Sequence, residues 1–255
     1  MAILETHHLS RRYGSLVALD DLNLKVEAGE CFGFIGPNGA GKTTTIKILA
    51  TLLKPSSGEA RVCGFTVGWQ NTHIRPLIGY VPDFLGAYDD MLVREYLQFF
   101  ASCYGITGSR RTQVVDDALS LTDLGGKAEA PISGLSRGMS QRLAVARVLL
   151  HDPEVLLLDE PASGLDPRAR VEMRELLRTL RDLGKTILIS SHILHELAEL
   201  CTSVGILERG KLVFAGSVQS ALDAARSGTR LECELDGGMD TALSLLGALG
   251  GVRSV

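Results

Sequence analysis

A chain of 255 residues with 45% hydrophobic and 22% charged side chains has the make-up of a water-soluble globular protein, one large domain or one domain with a small addition. A net charge of −4 argues against a general nucleic-acid binder. Five scattered cysteines (Cys31, Cys63, Cys103, Cys201 and Cys233), with no Cys-x-x-Cys, fit free thiols in a reducing cytoplasm and neither a disulfide frame nor zinc. No apolar stretch approaches bilayer length, and the first residues lack the pattern of a signal peptide, so a cytosolic chain that reaches any membrane through a partner is expected.

In chain order, residues 2–9 and 16–26 read as strands separated by a turn at Arg11–Gly14. After a turn at Ala28–Glu30, the apolar strand 31–35 feeds Gly36-Pro37-Asn38-Gly39-Ala40-Gly41-Lys42-Thr43-Thr44 and a helix-like segment running to Leu53. Strand, glycine turn, Lys-Thr and helix in that order give Gly-x-x-x-x-Gly-Lys-Thr its phosphate-binding meaning. Backbone N–H groups of the loop point at phosphate oxygens and the helix N-terminus adds partial positive charge. Lys42 is expected to reach the β- and γ-phosphates of a nucleoside triphosphate, and the Thr43 hydroxyl to ligate Mg²⁺.

Short strands follow at 59–63 and 77–81. Helix-period segments at 92–104, 110–122 and 139–150 make residues 84–150 a mainly helical insert. Strand 154–158, a helix opened by Asp166-Pro167, strand 186–190, helix 193–200, strand 203–207 and strand 211–214 complete an alternating pattern. That alternation predicts an α/β fold with a mixed, mainly parallel core sheet and antiparallel N-terminal strands. From 216 onward, helix 217–225, strand 230–235, helix 239–248 and a strand starting at 252 suggest a small C-terminal α/β extension; the unfinished β-α-β unit suggests a chain shorter than its natural parent.

Val155-Leu-Leu-Leu158 ends in Asp159-Glu160, which places two carboxylates at the edge where α/β sheets bind ligands. Asp159 fits the Mg²⁺ shell and Glu160 fits a general base acting on water. His192, just beyond strand 186–190, is positioned to hydrogen-bond a γ-phosphate or that water. His192 and His195 lack a third ligand at usable spacing, so zinc is not expected. Ser136 and Gly138, at the start of the third helical segment, form a second helix N-terminus suited to an anion.

Over residues 2–215 these motifs, in this order, resemble the nucleotide-binding subunit of ATP-binding cassette transporters: phosphate loop 36–44, signature 135–139, acidic strand end 155–160, dimer-contact loop 163–166 and switch histidine His192. The resemblance implies a P-loop NTPase fold that binds ATP and Mg²⁺ and hydrolyses ATP. Tyr13 matches the aromatic that stacks on adenine. The resemblance further implies a homodimer sandwiching two ATP molecules, with Ser136 and Gly138 on the opposite copy's nucleotide and Asp166 coupling the two sites. It implies a separate integral membrane subunit, a place on the inner face of the cell membrane, and export, with no nucleic-acid partner. The alternative is a soluble ATPase of the same superfamily acting on ribosomes or DNA. Two departures from the family pattern stand out: Asp83 stands where a Gln is usual and would reach Mg²⁺ directly, through water, or not at all; and the signature reads Ser136-Arg137-Gly138-Met139 instead of Ser-Gly-Gly-Gln.

Overall fold

The computed structural model describes residues 2–86, 90–226, 241, 242, 245 and 246. The elements in order are β1 (Ala2–Tyr13), β2 (Leu16–Glu27), β3 (Cys31–Ile35), α1 (Lys42–Leu49), β4 (Ser57–Val62), β5 (Phe65–Thr66), α2 (Asn71–Ile74), β6 (Ile78–Val81), α3 (Val93–Cys103), α4 (Gly108–Leu121), α5 (Arg137–Leu149), β7 (Val155–Leu158), α6 (Pro167–Asp182), β8 (Thr186–Ser191), α7 (Leu194–Ala198), β9 (Ser203–Glu208), β10 (Lys211–Ser217) and α8 (Val218–Arg226).

Among the described residues the strands form two sheets. One is a four-stranded antiparallel sheet, β2-β1-β4-β5; the other is a six-stranded sheet, β10-β9-β3-β8-β7-β6. In the second sheet β3 lies parallel to both β8 and β9, β7 parallel to β6 and β8, and only β10 runs antiparallel. The parallel strands are apolar at nearly every position because both faces are covered. Period-two alternation sends Leu156, Leu158, Ile187 and Ile189 into a core shared with the helices α3 to α6. It sends Phe32, Phe34, Val155, Leu157 and Leu188 into a second core with Ile46, Ile48 and Leu49 of α1 and Leu4, Leu9 and Val62 of the antiparallel sheet. Helix α1 is therefore packed between the two sheets, and the loop before it opens at the sheet's C-terminal edge.

Several expected boundaries shift: α1 ends at Leu49 and not at Leu53, β10 runs on to Ser217, and two further shifts have a clear cause. Strand β1 does not end at residue 9: Arg11, Arg12 and Tyr13 pair with Leu19, Val17 and Leu16, and the turn falls at Gly14 instead. Register shifts after Thr6, Leu9 and Arg11 break the alternation that a sequence pattern relies on. Helix α5 begins at Arg137, not 139, with the Ser136 hydroxyl capping the Met139 N–H at 3.3 Å. The chain divides into units Met1–Leu222 and Asp223–Val255. The expected strands at 230–235 and 252–255 lie outside the described residues, as does most of the expected helix 239–248.

Candidate active site

Strand β3 hands the chain to the glycine loop, which closes with Gly41 at φ +110° before α1. A Cβ on Gly41 would come within 2.8 Å of the Ala18 carbonyl oxygen, so the turn needs glycine. Lys42, the first residue of α1, is buried, and its amine donates to the carbonyls of Gly36 at 2.6 Å and Pro37 at 3.2 Å. The same amine pairs with Glu160 Oε1 at 3.1 Å.

The opposite wall comes from the ends of β7 and β8, which run side by side with Leu158 paired to Ile189. The Thr43 hydroxyl donates to Asp159 Oδ1 at 3.0 Å, and the Ser190 hydroxyl donates to the same oxygen at 2.9 Å. Burial pushes the Asp159 carboxyl above the usual aspartate range, and these two hydroxyls pull it partly back. The Glu160 N–H donates to Ser190 Oγ at 3.0 Å, and Glu160 sits at φ +52°, a left-handed backbone that costs a non-glycine residue about 1 kcal/mol. That turn aims its carboxylate at two cations or donors at once: Lys42, and His192, whose Nδ1 lies 2.9 Å from Glu160 Oε2.

Tyr13, residues 37–44, Asp83, Asp159, Glu160 and His192 line one cleft of about 650 Å³. Tyr13 is half-exposed at its rim, with the Arg11 guanidinium 4.7 Å over the ring. Gly36 contributes its carbonyl to Lys42. The remaining sequence candidates stand apart from this cleft. Ser136 caps α5, Gly138 is packed so closely that an added Cβ would lie 2.7 Å from Ala169 Cβ of α6, and Asp166 caps α6 by accepting the Ala169 N–H at 2.9 Å.

The ABC transporter family matches residues 19–163, a span holding both the phosphate loop and the Asp159-Glu160 strand end. The chain belongs to that family. It is 40% identical over 224 residues to the Nod factor export ATP-binding protein I of Burkholderia pseudomallei (strain 1710b), covering 88% of this chain and 74% of the relative. The protein of that name from Ralstonia nicotianae is 40% identical over 214 residues, covering 84% and 67%. Among solved structures, cbiO1 of Clostridium perfringens, described as part of the ABC transporter complex cbiONQ, superposes with a TM-score of 0.80 at 29% identity, covering 88% of this chain and 92% of that one. A post-hydrolysis dimer of the cassette MJ0796 bound to ADP and Pi shares the fold at TM-score 0.76 and 24% identity, covering 84% and 98%. As an ABC transporter cassette the chain is an ATP-binding and ATP-hydrolysing subunit with a P-loop α/β fold.

Sequence reasoning overlooked Ser190, the residue that joins Asp159 to the Glu160 backbone. Its signal was present: a hydroxyl near the end of a fully buried strand with an apolar centre, two residues before His192. It also missed that Asp83 and Arg137 are neighbours, with Arg137 Nη2 3.7 Å from Asp83 Oδ1.

Proposed function

We propose that this cassette couples Mg²⁺-ATP hydrolysis to export through a separate integral membrane subunit, working as an ATP-sandwiched homodimer at the inner face of the cell membrane. The observation that carries the catalytic part is the set of contacts Lys42–Glu160–His192 and Thr43–Asp159 in one cleft, with the buried Ser190 behind it tying Asp159 to the Glu160 backbone. A buried ammonium that donates to carbonyl and carboxylate oxygens is equipped to donate to phosphate oxygens, and a hydroxyl beside a buried carboxylate is a hard-oxygen pair suited to Mg²⁺.

In this reading residues 36–44 cradle the β- and γ-phosphates, Lys42 neutralises them, and Tyr13 stacks on the adenine. Thr43 and Asp159 would hold Mg²⁺, while Asp83, whose reach to the metal the sequence left open, is engaged by Arg137. Bound Mg²⁺ supplies positive charge to the phosphate oxygens, which is most of what phosphoryl transfer asks of a site. Glu160 accepts a proton from the attacking water, and His192, held at Nδ1 by Glu160, faces the γ-phosphate with its other nitrogen. Ser136 and Gly138 meet the nucleotide of the opposite copy, and Asp166, at the start of α6, couples the two sites. Residues 1–215 are the ATPase domain, with the helical insert 84–150 as the lever toward the membrane subunit, and 216–255 are a small C-terminal addition.

The membrane part is supported by the relatives named for export and for a transporter complex. Among the described residues no helix is long and apolar enough to cross a membrane. Co-purification from detergent-solubilised membranes tests this. A multi-span membrane protein that comes down with the tagged cassette is expected; ribosomes or nucleic acid in its place would favour the soluble alternative and overturn the transport reading.

A further inference from the structure

The cleft carries three carboxylates, Asp83, Asp159 and Glu160, although its ligand is itself an anion. Lys42 and the Thr43 hydroxyl engage the latter two. Asp83 is answered from elsewhere. Arg137, the first residue of α5, reaches it at 3.7 Å. The same guanidinium lies close against Gly164 in the loop before α6: a Cβ there would be 2.8 Å from Arg137 Cζ and 2.9 Å from Nη1. Gly164 has φ +66°, so glycine serves both the turn and the close approach. A second tie runs the same way, from Gln141 Nε2 of α5 to the Pro82 carbonyl at 3.4 Å. One guanidinium thus joins the segment after β6, the start of α5 and the 163–166 loop. Asp83 and Arg137, two of the three positions at which the chain departs from the family pattern (Met139 is the other), are the two ends of this pair.

The strength of the pair decides its use. Both side chains are more than half exposed, at 57% for Asp83 and 60% for Arg137. An exposed ion pair shifts an equilibrium by about 5-fold at most (about 1 kcal/mol), so this contact does little for stability. It is strong enough to bias where the guanidinium rests and weak enough to lose to a triphosphate, whose oxygens offer more charge and bidentate geometry.

We propose that Asp83 is a resting site for Arg137: in a single copy the carboxylate and the bare backbone of Gly164 hold the guanidinium, and in the ATP-bound pair of copies it leaves Asp83 for the triphosphate that faces Ser136 and Gly138. This rests on the two-copy reading given above. It makes Asp83 a brake on ATP-dependent assembly and Arg137 an additional phosphate-binding residue acting across the interface. The start of α5 favours an anion there as well, since a helix N-terminus carries partial positive charge.

The test is a double-substitution cycle in a Glu160→Gln background, which arrests hydrolysis. The dissociation constant of the dimer is measured by sedimentation with ATP and Mg²⁺. Asp83→Asn should tighten assembly about 3-fold, within the range of an exposed pair. Arg137→Ala should weaken it by at least about 5-fold, the loss of a charge-assisted phosphate contact. The double variant should match Arg137→Ala alone, because without the guanidinium there is nothing to release. Tighter binding is not an outcome that misfolding produces. Asp83→Asn that leaves assembly unchanged overturns the proposal; so does one that weakens it, the result expected of a Mg²⁺ ligand; so does a gain that survives in the double variant. If the Glu160→Gln parent itself fails to pair with ATP and Mg²⁺, the two-copy reading falls first and takes this proposal with it.

Discussion

Glu160 is held at three points: its N–H by Ser190, one carboxylate oxygen by Lys42 and the other by His192. Its neighbour Asp159 is held by two hydroxyls and no cation in direct contact, and burial raises its pKa. The two acids therefore differ in kind. Glu160 is charge-paired, while Asp159 is a buried charge in want of a cation, the condition of a metal ligand before its metal. The consequence is testable. Asp159→Asn keeps an acceptor for Thr43 and Ser190 but removes the buried charge, so the nucleotide-free variant should melt at a higher temperature than the parent near neutral pH. Its Mg²⁺-dependent ATP hydrolysis should fall by about 100-fold or more, the scale of losing electrostatic stabilisation in the transition state. A lower melting temperature with intact hydrolysis would show that Asp159 is an ordinary structural carboxylate. Lys42 is the harder residue to probe. Removing one partner of a buried ion pair costs about 3–5 kcal/mol, so Lys42→Ala confounds binding with folding.

At the scale of elements, the helical insert is pinned to the sheet at His151, just past α5. Its Nε2 lies 3.0 Å from the Ile78 carbonyl at the start of β6, and its ring packs 4.2 Å from Tyr104 after α3. With Nε2–H donating, the buried Nδ1 has no partner, so protonation would add a donor with nowhere to go. Burial, opposed by the Ile78 carbonyl and Asp152 and reinforced by Lys185, holds the imidazole below the usual histidine range. A folded pKa below the unfolded value near 6.5 gives stability that is complete above that pH and lost as pH falls through the folded value. The parent should therefore lose more melting temperature between pH 7.5 and pH 5.5 than His151→Gln does; equal losses would remove His151 from that role. The same scale shows what the sequence could tell. Strands β3, β7 and β8 were legible because burial on both faces makes them continuous apolar runs ending in a loop or in polar residues. The end of β1 was not, because bulges erase its period of two. The start of α5 was read late because Arg137 and Gly138 lack an apolar stripe, although Ser136 was recognised as a capping residue. The Asp83–Arg137 contact was invisible in principle, since each departure reads separately along the chain and only the fold brings them together.

At the scale of the whole molecule, the motifs come from distant parts of the chain and meet because β3 lies beside β8, with β7 next in the sheet. The phosphate loop, Asp159-Glu160 and His192 then emerge at one edge, the place where a doubly covered parallel sheet binds ligands. Ser136, Gly138 and Asp166 emerge elsewhere, at the starts of α5 and α6, packed together through Gly138 and Ala169. A single copy thus carries one cleft with its acids and one separate pair of helix starts, the arrangement expected if each helix pair serves a second copy's cleft. ATP should therefore drive two copies together when hydrolysis is blocked. The most direct measurement is made on one sample of Glu160→Gln, with ATP affinity and steady-state hydrolysis determined side by side. Affinity should stay close to that of the parent while turnover falls by about 100-fold or more, the scale of losing a general base. Turnover equal to the parent's would contradict the assignment of water activation to Glu160 and, with it, the chemistry assigned to this cleft.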